Sequence, residues 1–277
     1  MQPSARYTLL FAAAVCIVCS VLVSSSAVLL RDRQVENQLI DRQKKVLLVA
    51  GLMRDGESLS REEVRRRFTE SLEPRVVNLE TGAYVEEVDP DTFDQRKAAR
   101  DPARSRTAPE NAARVRRIPN EALVYLLRSD GAVDAIILPV EGQGLWSTLY
   151  GYLALAPDTR TVRNIIFYQH GETPGLGGEV DNPRWKALWK GRLAFDEGWN
   201  PKIAVIKGRA GPPEEDPHRI DGLSGATLTS NGVTNLVQFW LGQHGFGPYL
   251  EATRRDTTAA RSVPLRVAAT KREGGRP

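Results

Sequence analysis

Residues 221–230 read Asp221-Gly222-Leu223-Ser224-Gly225-Ala226-Thr227-Leu228-Thr229-Ser230. Small residues come first, and three hydroxyls then fall within four positions, at Thr227, Thr229 and Ser230. Beyond them Val233, Leu236, Val237, Trp240 and Leu241 recur at helical spacing. The pattern predicts a loop feeding a helix N-terminus, with Gly242 or Gly245 as the stop. Such a junction presents unpaired backbone N–H groups and the positive end of a helix dipole, a natural seat for phosphate. The same pattern also fits a hydroxyl cap with no ligand. A P-loop is excluded, because no Gly-Lys-Ser/Thr follows at the required spacing.

Outward from that stretch, the chain holds 277 residues, with 38 Lys and Arg against 34 Asp and Glu. This mild excess lacks the concentrated basic face with interleaved aromatics that nucleic-acid binding wants, so nucleic acid is set aside as a partner. Residues 7–30 carry no charge, with Arg6 before them and Arg31 and Arg33 after. A bilayer-spanning helix needs roughly 20 such residues, whereas secretory apolar cores usually run only about 7–15. The run therefore reads as an uncleaved transmembrane anchor, although Ser24-Ser25-Ser26-Ala27 offers small residues for a cleaved signal peptide. A literal count of flanking positive charge keeps the large C-terminal part in the cytoplasm, since Arg31, Arg33, Arg42, Lys44 and Lys45 outnumber Arg6 and the free amine. Both cysteines, Cys16 and Cys19, lie inside the apolar run, where they read as small packing residues. With none beyond them, disulfides and a cysteine-ligated iron–sulfur cluster are excluded from the rest of the chain.

The remainder divides by pattern. Residues 35–52 read as an amphipathic helix bracketed by Gly51 and Gly56. Ser60-Arg61-Glu62-Glu63 is a capping box opening a second helix through about Leu72. Residues 74–119 are rich in turn formers and charge and read as an exposed, poorly ordered excursion. Arg96, Lys97, Arg100, Arg104 and Arg106 within it offer an anionic-lipid contact next to a membrane anchor. Strand-like runs follow at 123–127, 133–140, 148–155, 162–168 and 202–206, punctuated by Gly, Pro and Asp, with a short helix at 183–189. The expected fold class is α+β: an N-terminal transmembrane helix, then a largely antiparallel sheet with flanking helices. No G-x-G-x-x-G follows a strand, which sets a Rossmann site aside. The tail from Glu251 onward, rich in Arg, Thr and Ala, reads as disordered.

Two glycine-rich stretches break up the sheet region. One runs Gly142-Gln143-Gly144-Leu145-Trp146-Ser147-Thr148-Leu149-Tyr150-Gly151 and the other Glu172-Thr173-Pro174-Gly175-Leu176-Gly177-Gly178-Glu179. Glycine lets a backbone approach a ligand closely, and Trp146 and Leu176 offer apolar surface for a flat ring. Taken alone they also fit tight turns beside a core Trp. His170 and Glu172 flank the second loop, while His218 and His244 have no metal-ligand spacing. No Ser/His/Asp set and no carboxylate pair suggests hydrolysis or glycosidase chemistry.

Three motifs carry a resemblance. Ser224-Gly225-Ala226-Thr227, with Asp221 three residues upstream, resembles the flavinylation motif of FMN-binding domains. "GLWSTLYGYLAL" and "ETPGLGGEVDNPRWKALWKG" resemble the C-subunit family of the Na+-translocating NADH:quinone reductase, as does "DRQKKVLLVAGL" earlier in the chain. "ETPGLG" is also similar to the related Rnf complex G subunit. The resemblance covers roughly residues 1–250, and the long first half with "GLWS" favours the former.

The resemblance implies FMN attached through its phosphate to Thr227, taken from FAD and installed by a separate flavin transferase. It implies an electron carrier between NADH and ubiquinone, coupled to Na+ export by partner membrane and flavin subunits, with no complete activity alone. It places the soluble part on the periplasmic side of a bacterial inner membrane, against the charge count above. The expected segments are 1–33, a cytoplasmic stub and anchor; 34–120, helical and irregular; 121–250, the FMN-binding domain; and 251–277, the tail. Expected cofactor contacts are Thr227, Ser224, Gly225, Ala226, Leu176, Gly175, Thr173, Glu172, Trp146, Ser147 and Lys207. The N–H groups of Gly225 and Ala226 would meet the phosphate, with Lys207 as an added cation. Asp221 would repel phosphate and is assigned to recognition during modification. An Rnf G subunit, an anchored FMN-binding sensor and a flavin-free interaction protein stand as the alternative readings.

Overall fold

In lipid every backbone polar group must be satisfied internally, which a helix does. The computed structural model describes residues 5–262, and it begins with one unbroken helix, α1 (Ala5–Ala50). Its Ala5–Arg31 portion is long and apolar enough to cross a membrane, and none of it is buried against protein. The separate helix expected from residue 35 does not occur. No Gly or Pro interrupts Arg31-Asp32-Arg33-Gln34, and these residues are good enough helix formers to carry the helix on. Gly51 ends it at φ +77°. The N–H of Leu52 bonds Leu47 C=O at 2.9 Å and that of Gly51 bonds Leu48 C=O at 3.1 Å, a Schellman closure.

Half of the capping box forms: Ser60 Oγ accepts from the Glu63 N–H at 3.2 Å, opening α2 (Arg61–Ser71), while the Glu63 carboxylate pairs with Arg66 and Arg67. From there the expected excursion is instead ordered structure. β1 (Leu72–Asn78) comes first, then α3 (Gln95–Arg100), β2 (Ser105–Thr107) and β3 (Arg117–Pro119). Pro74 is tolerated because β1 lies at a sheet edge, and Val76 and Val77 are buried beneath its charged neighbours. Two of the arginines expected at a lipid surface are engaged by protein. Arg96 lies 3.7 Å over the Tyr150 ring and bonds Gln169 Oε1 at 2.8 Å. Arg104 covers Phe93 and pairs with Glu121.

The sheet runs β1-β4-β5-β6-β7 with every neighbour antiparallel. Its other strands are β4 (Glu121–Ser129), β5 (Ala132–Gln143), β6 (Thr148–Leu155) and β7 (Val162–Gln169), close to four of the five expected runs. A 3-10 turn (Gly177–Asp181) and α4 (Pro183–Ala187) follow, then β8 (Ala204–Val205) and β9 (Arg219–Ile220), a short parallel pair. The chain continues into α5 (Thr227–Leu241) and α6 (Gly247–Ser262). Both sheet faces are covered. Ile136, Leu138 and Val140 join the core that contains Leu236 and Trp240 of α5. Ile137 and Tyr125 join the core with Leu47 of α1 and Phe68 of α2. Burial on both faces explains why these strands read as apolar runs. Because α1 and α2 cover one face of that sheet and β1 is its edge strand, residues 34–120 pack into the same fold.

α6 overturns part of the disordered tail. Tyr249 and Leu250 are buried, and Tyr249 Oη lies 3.1 Å from Tyr84 Oη. That anchor lets the Ala- and Arg-containing run continue as helix to Ser262. The rest of the expected tail, residues 263–277, and the first residues of the stub, 1–4, lie outside the described residues.

Candidate cofactor site

α5 sits close against β5 because two glycines allow it. A Cβ on Gly232 would lie 2.4 Å from the Gln143 carbonyl oxygen, and one on Gly142 would lie 2.5 Å from Leu236 Cβ. This contact brings the start of α5 to the loop after β5. Thr227 is its first residue, Ala226 its N-cap, and no side chain caps it. The first intrahelical bond is Ser230 N–H to Ala226 C=O at 3.0 Å, so the N–H groups of Thr227, Leu228 and Thr229 have no partner within the helix.

The hydroxyls sort by burial. Thr227 and Ser224 are exposed, whereas Thr229 and Ser230 are buried at 0% and 3% exposure. Ser230 Oγ accepts from the Leu223 N–H at 3.1 Å, so Ser230 braces the loop. Gly225 turns the chain at φ +70°. The Ala226 N–H donates to Leu223 C=O at 3.1 Å. It is therefore not available to a phosphate, contrary to expectation, whereas the N–H groups of the first helical turn remain on offer.

Beside this turn opens a cleft of about 550 Å3, lined by Lys207, Gly208, Arg209, Asp221, Ser224, Gly225 and Thr227 among others. The parallel pair β8–β9 carries two of its walls, and a Cβ on Gly222 would lie 2.2 Å from Ile206 C=O, which fixes their spacing. Lys207 and Arg209 are exposed at the rim. Arg209 escaped the sequence reading; its only signal is its place two residues after Lys207. Asp221 is occupied structurally: its Oδ1 accepts from the Ala210 N–H at 2.8 Å, and its carbonyl accepts from Trp185 Nε1 at 2.9 Å.

The two glycine loops meet at Glu172, which is 5% exposed. Its Oε1 accepts from the N–H groups of Trp146 at 3.0 Å and Ser147 at 3.2 Å. Its Oε2 accepts from the Leu145 N–H at 3.2 Å and the Thr229 hydroxyl at 2.6 Å. This carboxylate faces inward with its acceptors taken, which corrects the expectation that Glu172 touches a ligand. Ser147 is likewise bound inward, its Oγ accepting from the Gly171 N–H at 2.6 Å. The Thr173 carbonyl closes the second loop by accepting from Leu176 and Gly178 N–H, and Gly175 turns it at φ +74°. His170 is held by Asp181 at 2.9 Å.

Burial pushes the Glu172 carboxyl up. The Thr229 hydroxyl and the Trp146, Leu145 and Ser147 N–H groups outweigh it and hold the pKa below its ordinary 4.5. A depressed carboxylate contributes stability that is fully present above the unfolded-state value and lost as pH falls through the folded one. The amides of Leu145, Trp146 and Ser147 are therefore expected to keep their hydrogen-exchange protection down to the ordinary carboxylate range and lose it below. Protection that is flat to still lower pH, with the fold intact, would contradict this.

What the loops leave outside is apolar. Trp146 is 69% exposed, Leu176 44%, Leu145 40% and Leu228 60%. A Cβ on Gly225 would come within 2.9 Å of Leu176 Cδ2, so Leu176 stands beside the turn before α5. None of these four side chains lines the cleft itself, but Leu176 adjoins its Gly225 edge, and large apolar side chains left exposed mark a surface that something covers. The observed set comprises unpaired helix N–H groups, two rim cations, an exposed hydroxyl and an apolar wall. It suits a ligand with a phosphate at one end and a flat ring at the other. A second cavity, about 70 Å3 beneath Tyr125, Tyr150 and Glu141, is too small for such a molecule. Among the described residues no group of His, Cys, Asp and Glu could hold a metal ion.

Comparison with known proteins gives the same picture. The FMN-binding domain family matches residues 144–242, from the first glycine loop to the end of α5. The chain is 48% identical over 257 residues to the C subunit of the Na(+)-translocating NADH-quinone reductase of Pseudomonas aeruginosa, covering 92% of this chain and 98% of that protein. It is 47% identical over 250 residues to the protein of the same name from Yersinia pestis, covering 89% and 92%. Among solved structures, NqrC of Shewanella oneidensis superposes with a TM-score of 0.72 at 35% identity, covering 79% of this chain and 99% of that one.

Proposed function

The chain belongs to the C-subunit family of the Na(+)-translocating NADH-quinone reductases, and from that membership we propose that it holds its FMN covalently, through the phosphate, on the Thr227 hydroxyl. It is an FMN carrier subunit of a membrane reductase that passes electrons from NADH to quinone and transports Na+. The relatives match nearly end to end under that one name, so the Rnf G-subunit, sensor and flavin-free readings are set aside.

The observation that carries the covalent reading is an exposed hydroxyl on the first residue of an uncapped helix, at the mouth of a cleft with Lys207 and Arg209 on its rim. Bound FMN supplies the redox chemistry. The chain's part is to retain and orient it. The first-turn N–H groups, Lys207 and Arg209 stabilise the phosphate charge. Trp146 and Leu176 supply the apolar wall. Installation is a phosphoryl transfer from FAD by a flavin transferase. The pyrophosphate P–O bond breaks, a P–O bond forms to Thr227 Oγ, AMP leaves, and the hydroxyl proton passes to solvent.

A covalent tether suits a domain outside the cytoplasm, where lost flavin is not readily replaced. We therefore place the fold after Arg31 on the periplasmic side, against the flanking-charge count. An export-dependent reporter fused after Leu250 should be active; a cytoplasm-active fusion would reverse the orientation. For the linkage itself, the full chain is co-expressed with a flavin transferase and run on a denaturing gel. A fluorescent band that peptide mass spectrometry assigns to Thr227 is expected, and a band without flavin would end the covalent reading.

Leu176→Asp tests the apolar wall. At 44% exposure the change should leave folding intact, since exposed substitutions usually stay within about 0.5 kcal/mol. It should still shift the spectrum and midpoint potential of the attached flavin, because it sets a charge against an apolar ring. A redox titration matching wild type would remove Leu176 from the site.

A further inference from the structure

We propose that Glu172 is a positioning residue for the flavin: its buried carboxylate fixes the flavin-bearing turn of α5 relative to both glycine loops without touching the cofactor. The inference rests on the FMN reading above and goes beyond it in naming what sets the pocket's geometry.

Two glycines surround the carboxylate. A Cβ on Gly144 would lie 2.6 Å from Glu172 Oε1, and one on Gly177 would lie 2.8 Å from Oε2 and 2.5 Å from Thr229 Oγ1. These glycines make room for the carboxylate rather than for a ligand. The carboxylate then joins three segments far apart in sequence. It accepts from three successive N–H groups of the loop after β5 and from Thr229 in the first turn of α5, and it belongs itself to the second loop. Thr229 lies two residues beyond Thr227, and the loop N–H groups belong to Leu145, Trp146 and Ser147. The bond set therefore fixes the distance from the exposed hydroxyl to the apolar wall. Ionised acceptors make hydrogen bonds roughly twice as strong as neutral ones, so one side chain can hold loops that otherwise have mostly solvent around them.

Glu172→Gln keeps the shape but replaces one acceptor oxygen by a donor. The Thr229 hydroxyl can turn to accept from the new amide, whereas a backbone N–H facing it cannot. The full chain carrying Glu172→Gln is co-expressed with a flavin transferase, beside wild type and Thr227→Ala. Its fold is checked by circular dichroism. Attachment, flavin spectrum and midpoint potential are then measured. A folded protein whose attachment is lost, or whose flavin spectrum and potential are shifted, supports the positioning role. A stability loss with wild-type attachment, spectrum and potential overturns it and leaves Glu172 a structural brace. Should Glu172→Gln fail to fold, Thr229→Val decides, because it removes one of the four bonds. Unchanged attachment, spectrum and potential there overturn the proposal. Flavin retained by Thr227→Ala overturns the Thr227 reading whatever Glu172→Gln does, so the two failures are distinguishable.

Discussion

Thr227→Ala is expected to abolish covalent flavin and leave the protein folded. The expectation rests on which hydroxyls are reachable. Thr229 is fully buried and donates to Glu172, and Ser230 is buried and accepts from the Leu223 N–H. Only Ser224 and Thr227 stand exposed near the start of α5, and only Thr227 belongs to the helix whose first N–H groups are unpaired. The Thr227 hydroxyl caps nothing, so its removal forfeits no internal bond. Alanine also has the higher helix propensity, by about 0.5 kcal/mol. The thermal transition should therefore be unchanged or slightly raised while in-gel flavin fluorescence falls to background. Thr227→Ser keeps the hydroxyl with a freer rotamer and is expected to label in part. Flavin recovered on Ser224 in Thr227→Ala would move the site to the loop. A melting temperature that collapsed with the label would mean that the hydroxyl has a structural role not evident in its surroundings.

How much of this was legible in the sequence depends on how local each signal is. Strands β4 to β7 were readable because both faces of the sheet are covered and turn residues separate the runs. β1 was hidden: Glu73, Pro74 and Arg75 disguise an edge strand whose buried positions are few. The helix start at Thr227 was readable from spacing, and the family resemblance added the flavin. Burial was not readable, and burial reassigns several residues. Glu172 among glycines signals ligand contact locally. Its partners lie 25 to 27 residues back along the chain and 57 residues ahead, and only the fold brings them to one carboxylate. The Ala226 N–H is lost to the phosphate for the same reason, since loop hydrogen bonds depend on a turn that spacing does not specify. Arg209 carries no signal of its own in the sequence, because a cation gains meaning only from the cleft it borders.

Trp240→Ala is the counterpart that should cost stability first. Trp240 is fully buried between α5 and β5, and its Nε1 donates to Glu141 C=O at 2.7 Å. Truncation empties that volume and leaves the carbonyl without its donor. Large aromatic deletions in cores cost about 3–5 kcal/mol, a sizeable part of the roughly 5–15 kcal/mol that holds a domain together. Chemical denaturation of the detergent-solubilised chain, followed by circular dichroism, should show an unfolding free energy lowered by that amount, with the midpoint falling accordingly. Trp240→Phe restores much of the volume but not the N–H, so it should fall between wild type and Trp240→Ala. A Trp240→Ala protein within about 1 kcal/mol of wild type would mean that α5 does not depend on this contact. The two substitutions together separate placement from chemistry. Trp240 lies at the far end of the helix that begins with Thr227, so flavin yield in Trp240→Ala should follow the folded fraction and recover on cooling to milder temperatures. In Thr227→Ala the folded fraction is intact and no temperature restores the label. A Trp240→Ala protein that is well folded yet unlabelled would show that α5 must be held more tightly for attachment than for folding, and would assign the core beneath it a direct part in presenting the hydroxyl.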